Sequence, residues 1–230
     1  MPTAIFGLVS LRSVVRIHPV GYGNISYSSS VVEQSKVHPV IIVIYNSMVY
    51  YKQDFLPNNL LNYLQTYANS IIRHDLLETE QYYHYGILLK EGNVSEVFNR
   101  LGRIWALIIE EVKNQLEILI DGEMLIHMIR IQSMTDRYRV YPHYDGPVFN
   151  RPLTYSYTSL LYLNEYWEMN DGGLLQINDK DYIPNKNSLV VYSRDLLHGV
   201  TEAKTKWRNP RNVLLISWAI KNIKESLNGQ

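Results

Sequence analysis

The sequence predicts an α+β protein, mainly β, in which leading helices support an all-β sandwich or barrel. Three observations carry this. Apolar residues fall at helical spacing between Pro57 and Leu116, the rhythm changes to short strand-like segments from Met124 onward, and turn residues separate those segments. Val40 to Tyr45 is a continuous β-branched run that reads as a strand, and Met48 to Tyr51 extends it or pairs with it. Pro57 then opens a helix in which Leu60, Leu61, Leu64, Tyr67, Ala68 and Ile71 share one stripe, with the missing proline N–H tolerated in the first turn. A second helix places Leu101, Ile104, Trp105, Ile108, Ile109, Val112 and Leu116 on one apolar face, which is core. The predicted strands are then Leu125 to Gln132, Arg139 to Asp145, Tyr155 to Leu163, Leu174 to Ile177, Ser188 to Tyr192 and Val213 to Trp218. Gly146-Pro147, Asn170-Asp171-Gly172-Gly173 and Pro184-Asn185 punctuate them as turns.

The chain has 230 residues, 46% of them hydrophobic, enough for a substantial core in one domain. Boundaries are expected at 1–46 for an N-terminal extension that could join the core sheet, 47–222 for the functional domain and 223–230 for a tail. Basic and acidic residues balance at 22 each, so no overall field gathers DNA, RNA or an acidic membrane surface, and no nucleic-acid partner is expected. Cysteine is absent, which removes disulfides, thiolate metal sites, iron–sulfur clusters and cysteine nucleophiles, so any metal must be held by nitrogen and oxygen. No apolar run reaches the roughly 18 residues of a membrane helix, and a soluble, cytoplasmic protein is expected. The first 32 residues carry Arg12 and Arg16 but no acid, a composition shared with organellar transit peptides. Their apolar residues fit either a cap on the barrel or a homodimer contact, and periodicity does not choose. The Asn-x-Ser triplets at Asn24 and Asn93 are read as chance matches.

Chemistry concentrates in Tyr141-Pro142-His143-Tyr144-Asp145-Gly146. Residues two apart on a strand point to one face, which sets His143 and Asp145 side by side with Cα atoms roughly 6 to 7 Å apart. A His-x-Asp triplet alone is weak, and His198, just after the strand Ser188 to Tyr192, supplies the third partner. Two imidazoles and one carboxylate on one side of an ion leave positions open, the ligand set of oxygen-activating non-haem iron(II). Catalytic zinc uses a similar set, so the triad alone is ambiguous. A 2-oxo acid that chelates iron needs a cation for its far carboxylate, and arginine suits that role through two charge-assisted hydrogen bonds. Arg211 begins the apolar strand Val213 to Trp218 and is the first choice; Arg208, in the preceding loop, is the second.

The ordered motifs resemble a known family. Pro142-His143-x-Asp145, Arg151-x-x-Thr154, Ser159-Leu-Leu-Tyr-Leu-Asn164-x-x-Trp167, Asp171-Gly-Gly173, Asn187-Ser-Leu-Val-Val-Tyr192, His198-Gly-Val200 and Arg211 follow the order of the prolyl 4-hydroxylase-like branch of the iron(II)/2-oxoglutarate oxygenases. Asp54-Phe55-Leu56-Pro57 before a helix is similar to the start of that branch's domain, so the resemblance spans roughly Met48 to Ile220. It implies a double-stranded β-helix, a jelly-roll or cupin-like barrel with iron in its mouth. It also implies that His143, Asp145 and His198 bind Fe(II), and that Arg211 and Tyr162 hold the distal carboxylate of the cosubstrate 2-oxoglutarate. O2 is then the oxidant, with ascorbate as the reductant in vitro. Three departures concern details: Leu174 stands where many relatives have glutamate, Ser133 falls near where some relatives place another cosubstrate tyrosine, and the stretch from His198 to Arg211 is long.

The implied reaction is hydroxylation of a substrate C–H coupled to oxidative decarboxylation of 2-oxoglutarate to succinate and CO2. Asp145 as a carboxylate ligand leaves no coordination position for a halide, which favours hydroxylation over halogenation; desaturation and ring formation stay open. Tyr138, Tyr141, Tyr144, Tyr155 and Tyr157 crowd the first two ligands and read as barrel walls before substrate contacts. Tyr141 and Arg194 are the candidate substrate contacts, Arg194 for a substrate carboxylate at the mouth. His18, His38, His74, His84 and His127 lack a comparable constellation and read as structural or exposed. Three functions stand open: an oxygenase of a free amino acid or small amino-acid-derived metabolite, a peptidyl-prolyl or other protein hydroxylase, and a jelly-roll module that binds metal without turnover.

Overall fold

The structure, a computed structural model, describes residues 48–73, 77, 80–120, 122–146, 148–149, 156–205 and 209–221. These fall in one compact unit, Tyr45–Gln230. The expected strand Val40 to Tyr45, the N-terminal extension 1–46 and the tail 223–230 lie outside the described residues, as do Arg151, Thr154, Tyr155 and Arg208.

Ten strands form two antiparallel sheets: β1 (Val49–Lys52), β2 (Tyr82–Leu88), β3 (Met124–Met134), β4 (Val140–His143), β5 (Ser156–Tyr162), β6 (Leu175–Ile177), β7 (Lys180–Tyr182), β8 (Leu189–Ser193), β9 (His198–Val200) and β10 (Arg211–Ile220). The larger sheet runs β1-β8-β5-β10-β3-β2 and the smaller β4-β9-β6-β7. From β3 onward the chain alternates between the sheets, except for the β6–β7 hairpin within the smaller one, so the strands pair as a double-stranded β-helix, the expected jelly roll. β1 and β2 extend the larger sheet at its two edges.

The central strands β8, β5 and β10 of the larger sheet are buried on both faces, and their residues show why. Along β5, Thr158, Leu160 and Tyr162 face the barrel, while Tyr157, Ser159 and Leu161 face the helices; every one of the seven strand residues is buried. Leu160, Tyr162, Leu175, Ile177, Val190, Tyr192, Leu196 and Val213 fill the barrel. A second, larger core on the other face packs Ile129, Leu161, Val191, Leu214, Ile216 and Trp218 against the helices.

Helix α1 (Asn58–Ile71) follows the expected stripe, with Leu61, Leu64 and Ala68 buried. Pro57 sits just outside it as the N-cap, its carbonyl accepting from Leu60 and Leu61. The second expected helix is in fact two, α2 (Val94–Leu101) and α3 (Arg103–Ile120), broken at Gly102, whose φ of 92° lies outside the helical region. Leu101 therefore ends α2, and Ile104 is exposed, whereas Trp105, Ile108, Ile109, Val112 and Leu116 are buried as expected. Strands β2, β7 and β9 were not expected: β2 is a half-exposed edge strand without clean alternation, and the other two have three residues each. Among the described residues no helix is long and apolar enough to cross a membrane.

Candidate metal and carboxylate site

Strand β4 ends at His143 and β9 begins at His198, and the two histidines are directly paired. The pairing is irregular: Val140 opposes Val200 and His143 opposes His198, three steps on β4 against two on β9. That extra residue is a β-bulge, and it turns His143 onto the face that carries His198. Asp145 lies beyond the strand end, so the expected strand Arg139 to Asp145 is shorter than its sequence suggests. Loop geometry and side-chain contacts, more than strand alternation, place the carboxylate.

Ligand atoms of His143, Asp145 and His198 all lie within 4.8 Å of one another. Asp145 Oδ1 is 3.7 Å from His143 Nε2 and 3.6 Å from His198 Nε2. The Nδ1 atoms of His143 and His198 each stand 2.9 Å from the backbone carbonyl two residues earlier, Tyr141 O and Leu196 O. A carbonyl only accepts, so each Nδ1 donates to it and each ring turns Nε2 toward Asp145, where it can give a hydrogen bond or, without its proton, a lone pair to a metal. Two Nε2 lone pairs and one carboxylate oxygen facing a common point fit a divalent metal and leave its far side open. His198 is 5% exposed and His143 43%, so the cluster opens to one side.

The other carboxylate oxygen of Asp145 is held from behind. Thr158 Oγ1 donates to Oδ2 at 2.9 Å, and Arg194 Nη1 is 3.4 Å from it. Burial pushes the Asp145 carboxyl up, but the hydrogen bond to His198, the Arg194 charge and the Thr158 hydroxyl outweigh it and hold the group below the usual carboxylate range. Tyr192 lies tilted against His198 with ring centroids 4.7 Å apart, and burial, the Asp145 charge and Tyr162 push its phenol well up, so it stays protonated.

Arg194, expected at the mouth as a substrate anchor, is instead buried. Its guanidinium donates to Gly146 O (3.1 and 2.9 Å), Thr158 Oγ1 (3.1 Å) and Ser217 Oγ (2.9 Å) beside Asp145. Those donors are committed to the ligand loop, which leaves no fork for a substrate carboxylate. Tyr141 is exposed at the rim, its ring 4.2 Å from the Arg139 guanidinium, which also donates to its hydroxyl. Tyr144 is exposed as well, and Tyr157 faces the helices, so neither lines the barrel interior.

Arg211 is 1% exposed at the start of β10. Nε donates to Gly173 O at 2.7 Å and Nη2 to the Tyr162 hydroxyl at 3.1 Å, while Nη1 meets only Met134 Sδ at 3.7 Å. Among the described residues no carboxylate pairs with it. A buried guanidinium without a counter-charge is costly unless a ligand supplies one. Burial raises the Tyr162 phenol more than Arg211 lowers it, so its hydroxyl keeps a proton to donate. Ser133, near an expected cosubstrate position, faces away from the barrel and bonds Asn212; Gln132 and Met134 are its inward-facing neighbours on β3. Sequence reasoning missed Thr158, Tyr192 and Ser217, although Thr158 shares the face of Tyr162 on β5 by simple alternation.

Two imidazoles and a carboxylate converge at one end of this barrel of the double-stranded β-helix class, where they could hold a metal ion, and a buried arginine with no carboxylate partner among the described residues lies farther in. Residues 129–218 match the family model of the 2OG-Fe(II) oxygenase superfamily. The fold is shared with a prolyl-4-hydroxylase from Pseudomonas putida (16% identity, TM-score 0.51, covering 78% of this chain and 95% of the other). It is shared likewise with the viral collagen prolyl hydroxylase of Paramecium Bursaria Chlorella virus-1, solved as a 2OG complex (14%, TM-score 0.51, 78% and 99%). A third is HygX of Streptomyces hygroscopicus, solved with nickel and 2-oxoglutarate bound (11%, TM-score 0.54, 75% and 82%). No curated protein matches the sequence.

Proposed function

We propose that this chain is an Fe(II)/2-oxoglutarate-dependent dioxygenase that hydroxylates an unactivated C–H of an amino acid or small amino-acid-derived metabolite, releasing succinate and CO2. The observation that carries the reading is the coexistence in one barrel of the His143, Asp145, His198 cluster and the buried Arg211, a cation with no acid partner among the described residues. A zinc hydrolase has no use for the second feature. The 2-oxo acid chelated at iron would occupy both, its far carboxylate meeting Arg211 Nη1 and the Tyr162 hydroxyl.

When bound, iron and 2-oxoglutarate supply the oxidising chemistry with O2. The protein's residues do the rest. His143 and His198 present Nε2 because their Nδ1 protons are tied to backbone carbonyls. Asp145 presents Oδ1 because Thr158 and Arg194 hold Oδ2. Leu160, Val213 and Leu196 keep water out of the barrel behind the ligands. HygX, with iron in one structure and nickel and 2-oxoglutarate in another, supports this metal and cosubstrate for the present fold.

A second reading, peptidyl-prolyl hydroxylation, is favoured by the prolyl hydroxylases that share the fold. A third, metal binding without turnover, predicts no succinate. The test is an anaerobic spectrum of the protein with iron(II) and 2-oxoglutarate. A metal-to-ligand charge-transfer band is expected in the wild type and not in His143→Ala or Asp145→Ala; its absence from the wild type overturns the proposal. Succinate release in air with ascorbate then separates the oxygenase from the inert module, and free amino acids against proline-containing peptides separate the two substrate classes.

A further inference from the structure

At one side of the larger sheet, β3 and β2 follow β10 and continue its inward face. Register identifies that face. Arg211 opposes Met134 and touches its sulfur, Val213 of the barrel core opposes Gln132, and Leu215 opposes Arg130. Directly paired residues point to the same side, so Arg130 and Gln132 face the same way as the barrel lining. On β2, Gly86 opposes Arg130, His84 opposes Gln132 and Tyr82 opposes Met134. Tyr138, from the β3–β4 connection, stacks on Tyr82 with centroids 4.7 Å apart and planes 7° from parallel.

The cation at the centre of this face is under-used. Arg130 Nε is buried with no acceptor, and Nη2 meets only the Met128 thioether at 3.1 Å. The remaining neighbour is the Tyr82 phenol, which burial raises while the Arg130 charge and hydrogen bond lower it. No carboxylate pairs with Arg130 among the described residues. Gly86 makes the arrangement possible: a Cβ there would come within 3.2 Å of Arg130 Cβ and 3.3 Å of its Cγ, so a glycine leaves room for the arginine stem to lie across β2. Burial and then the Arg130 charge hold the His84 imidazole below its usual value, so it is uncharged at neutral pH. The face therefore offers one positive charge flanked by neutral donors, which suits a monoanion better than a phosphate dianion.

Position ties this face to the metal cluster. Thr158, which holds Asp145, opposes Ser217, which opposes Met128, and Arg130 lies two residues on from Met128. With strands about 4.8 Å apart and alternate residues about 7 Å apart, the Cα atoms of Arg130 and Thr158 are on the order of 12 Å apart. The arginine side chain covers part of that span and a molecule of amino-acid size the rest.

We infer that Arg130, with Tyr82 and Gln132 beside it, is the carboxylate anchor of the prime substrate, which is a free amino acid or a small acid derived from one. The anchor rests on the reading of the triad as an iron and 2-oxoglutarate centre and names the substrate class for it. It is separate from the Arg211 site, which lies at the far end of the same face and serves the cosubstrate.

The experiment begins with the anaerobic charge-transfer band, expected in both wild type and Arg130→Gln; its loss from the wild type would sink the oxygenase reading, and its loss from the variant alone would assign Arg130 to the cosubstrate and overturn the anchor. The protein loaded with nickel(II) and 2-oxoglutarate is then titrated with the free L-amino acids, their carboxamides and proline-containing peptides, followed by ligand-observed NMR. At least one free acid is expected to bind, with its carboxamide weaker by about 10- to 100-fold. Arg130→Gln should abolish that preference, and Arg130→Lys should keep part of it. A carboxamide or capped peptide that binds wild type and Arg130→Gln equally overturns the anchor, and so does a panel in which no free acid binds. Gly86→Ala, which crowds the arginine stem from outside the site, should weaken the same acid without shifting the charge-transfer band.

Discussion

At the scale of single residues, two arginines divide the work. Arg211 is buried, and among the described residues its Nη1 faces only a sulfur, so under the proposed function the 2-oxoglutarate carboxylate is its acceptor. Arg211→Ala should raise the 2-oxoglutarate concentration needed for half-maximal succinate release by about 30- to 160-fold, matching a charge-assisted pair of about 2 to 3 kcal/mol, and leave nickel(II) affinity near that of the wild type. An equal loss of both would mean the residue is structural only. Arg194 is the opposite case, with Nε, Nη1 and Nη2 already spent on Gly146, Thr158 and Ser217 beside Asp145. Lysine keeps the charge but not the fork, so Arg194→Lys should lower metal affinity by about 10- to 100-fold, the usual effect of losing a group that orients a ligand. Isothermal titration with nickel(II) measures this, and an unchanged affinity would show that Thr158 suffices. The two residues also show what sequence makes legible. Arg211 follows from its place at the root of an apolar strand, because the strand direction is written in the residues after it. Arg194 is the first residue after β8, and nothing local says that its side chain turns back into the barrel to meet a loop 48 positions earlier in the chain.

At the scale of elements, the bulge between β4 and β9 is what aligns the two imidazoles, and Gly199 is what lets the strands close on it. A Cβ at Gly199 would stand 2.8 Å from Val140 O and 3.1 Å from Pro142 N, both backbone atoms that cannot step aside alone. Gly199→Ala should therefore push β4 outward and move His143 off the cluster. Metal affinity is expected to fall by about tenfold or more while the far-ultraviolet circular dichroism stays unchanged. Wild-type affinity in that variant would show that β4 has slack. A second element is fixed by charge. Glu96, in the first turn of α2, accepts from the backbone N–H of Lys90 (3.0 Å), Glu91 (2.8 Å) and Gly92 (3.2 Å), while Asn93 caps the helix by accepting from Glu96 N. Partial burial pushes its carboxyl up, but those three N–H groups and Arg100 pull it below the usual range. A carboxylate lowered by folding stabilises the protein above its unfolded value of about 4.3 and loses that contribution as pH falls through the folded value. Glu96→Gln should cost about 0.5 to 2 kcal/mol at neutral pH, and urea denaturation should show the gap narrowing in acid. A gap that is the same at both pH values would mean that shape, not charge, holds the loop. The long, periodic elements were legible from spacing alone; β2, β7 and β9 were not, because edge strands and three-residue strands carry too few side chains to show a period, and Gly102 hid a helix break inside a continuous apolar stripe.

At the scale of the whole molecule, the larger sheet separates two cores with different duties. One lies against the helices and contains Leu116, fully buried; the other fills the barrel and contains Leu160, 4% exposed. Leu160 stands on β5 between Thr158, which holds Asp145, and Tyr162, which meets Arg211, and shares their face. Both residues are leucines in well-packed surroundings, so truncation of either to alanine should cost about 2 to 5 kcal/mol in a denaturant titration. Their effects on the site should differ. Behind the sheet, Leu116→Ala removes packing that no site residue touches, and the rise in melting temperature on adding nickel(II) and 2-oxoglutarate, which reports affinity through linkage, should match the wild type. Inside the barrel, Leu160→Ala opens space between the two groups that hold the metal ligand and the cosubstrate, admits water beside them, and should shrink that rise at equal ligand concentration. The pair of variants thus compares one chemical change at two places of similar burial. If Leu116→Ala weakened ligand binding as much as Leu160→Ala, the sheet would be transmitting strain from the helices to the site, and the two cores would have to be treated as one.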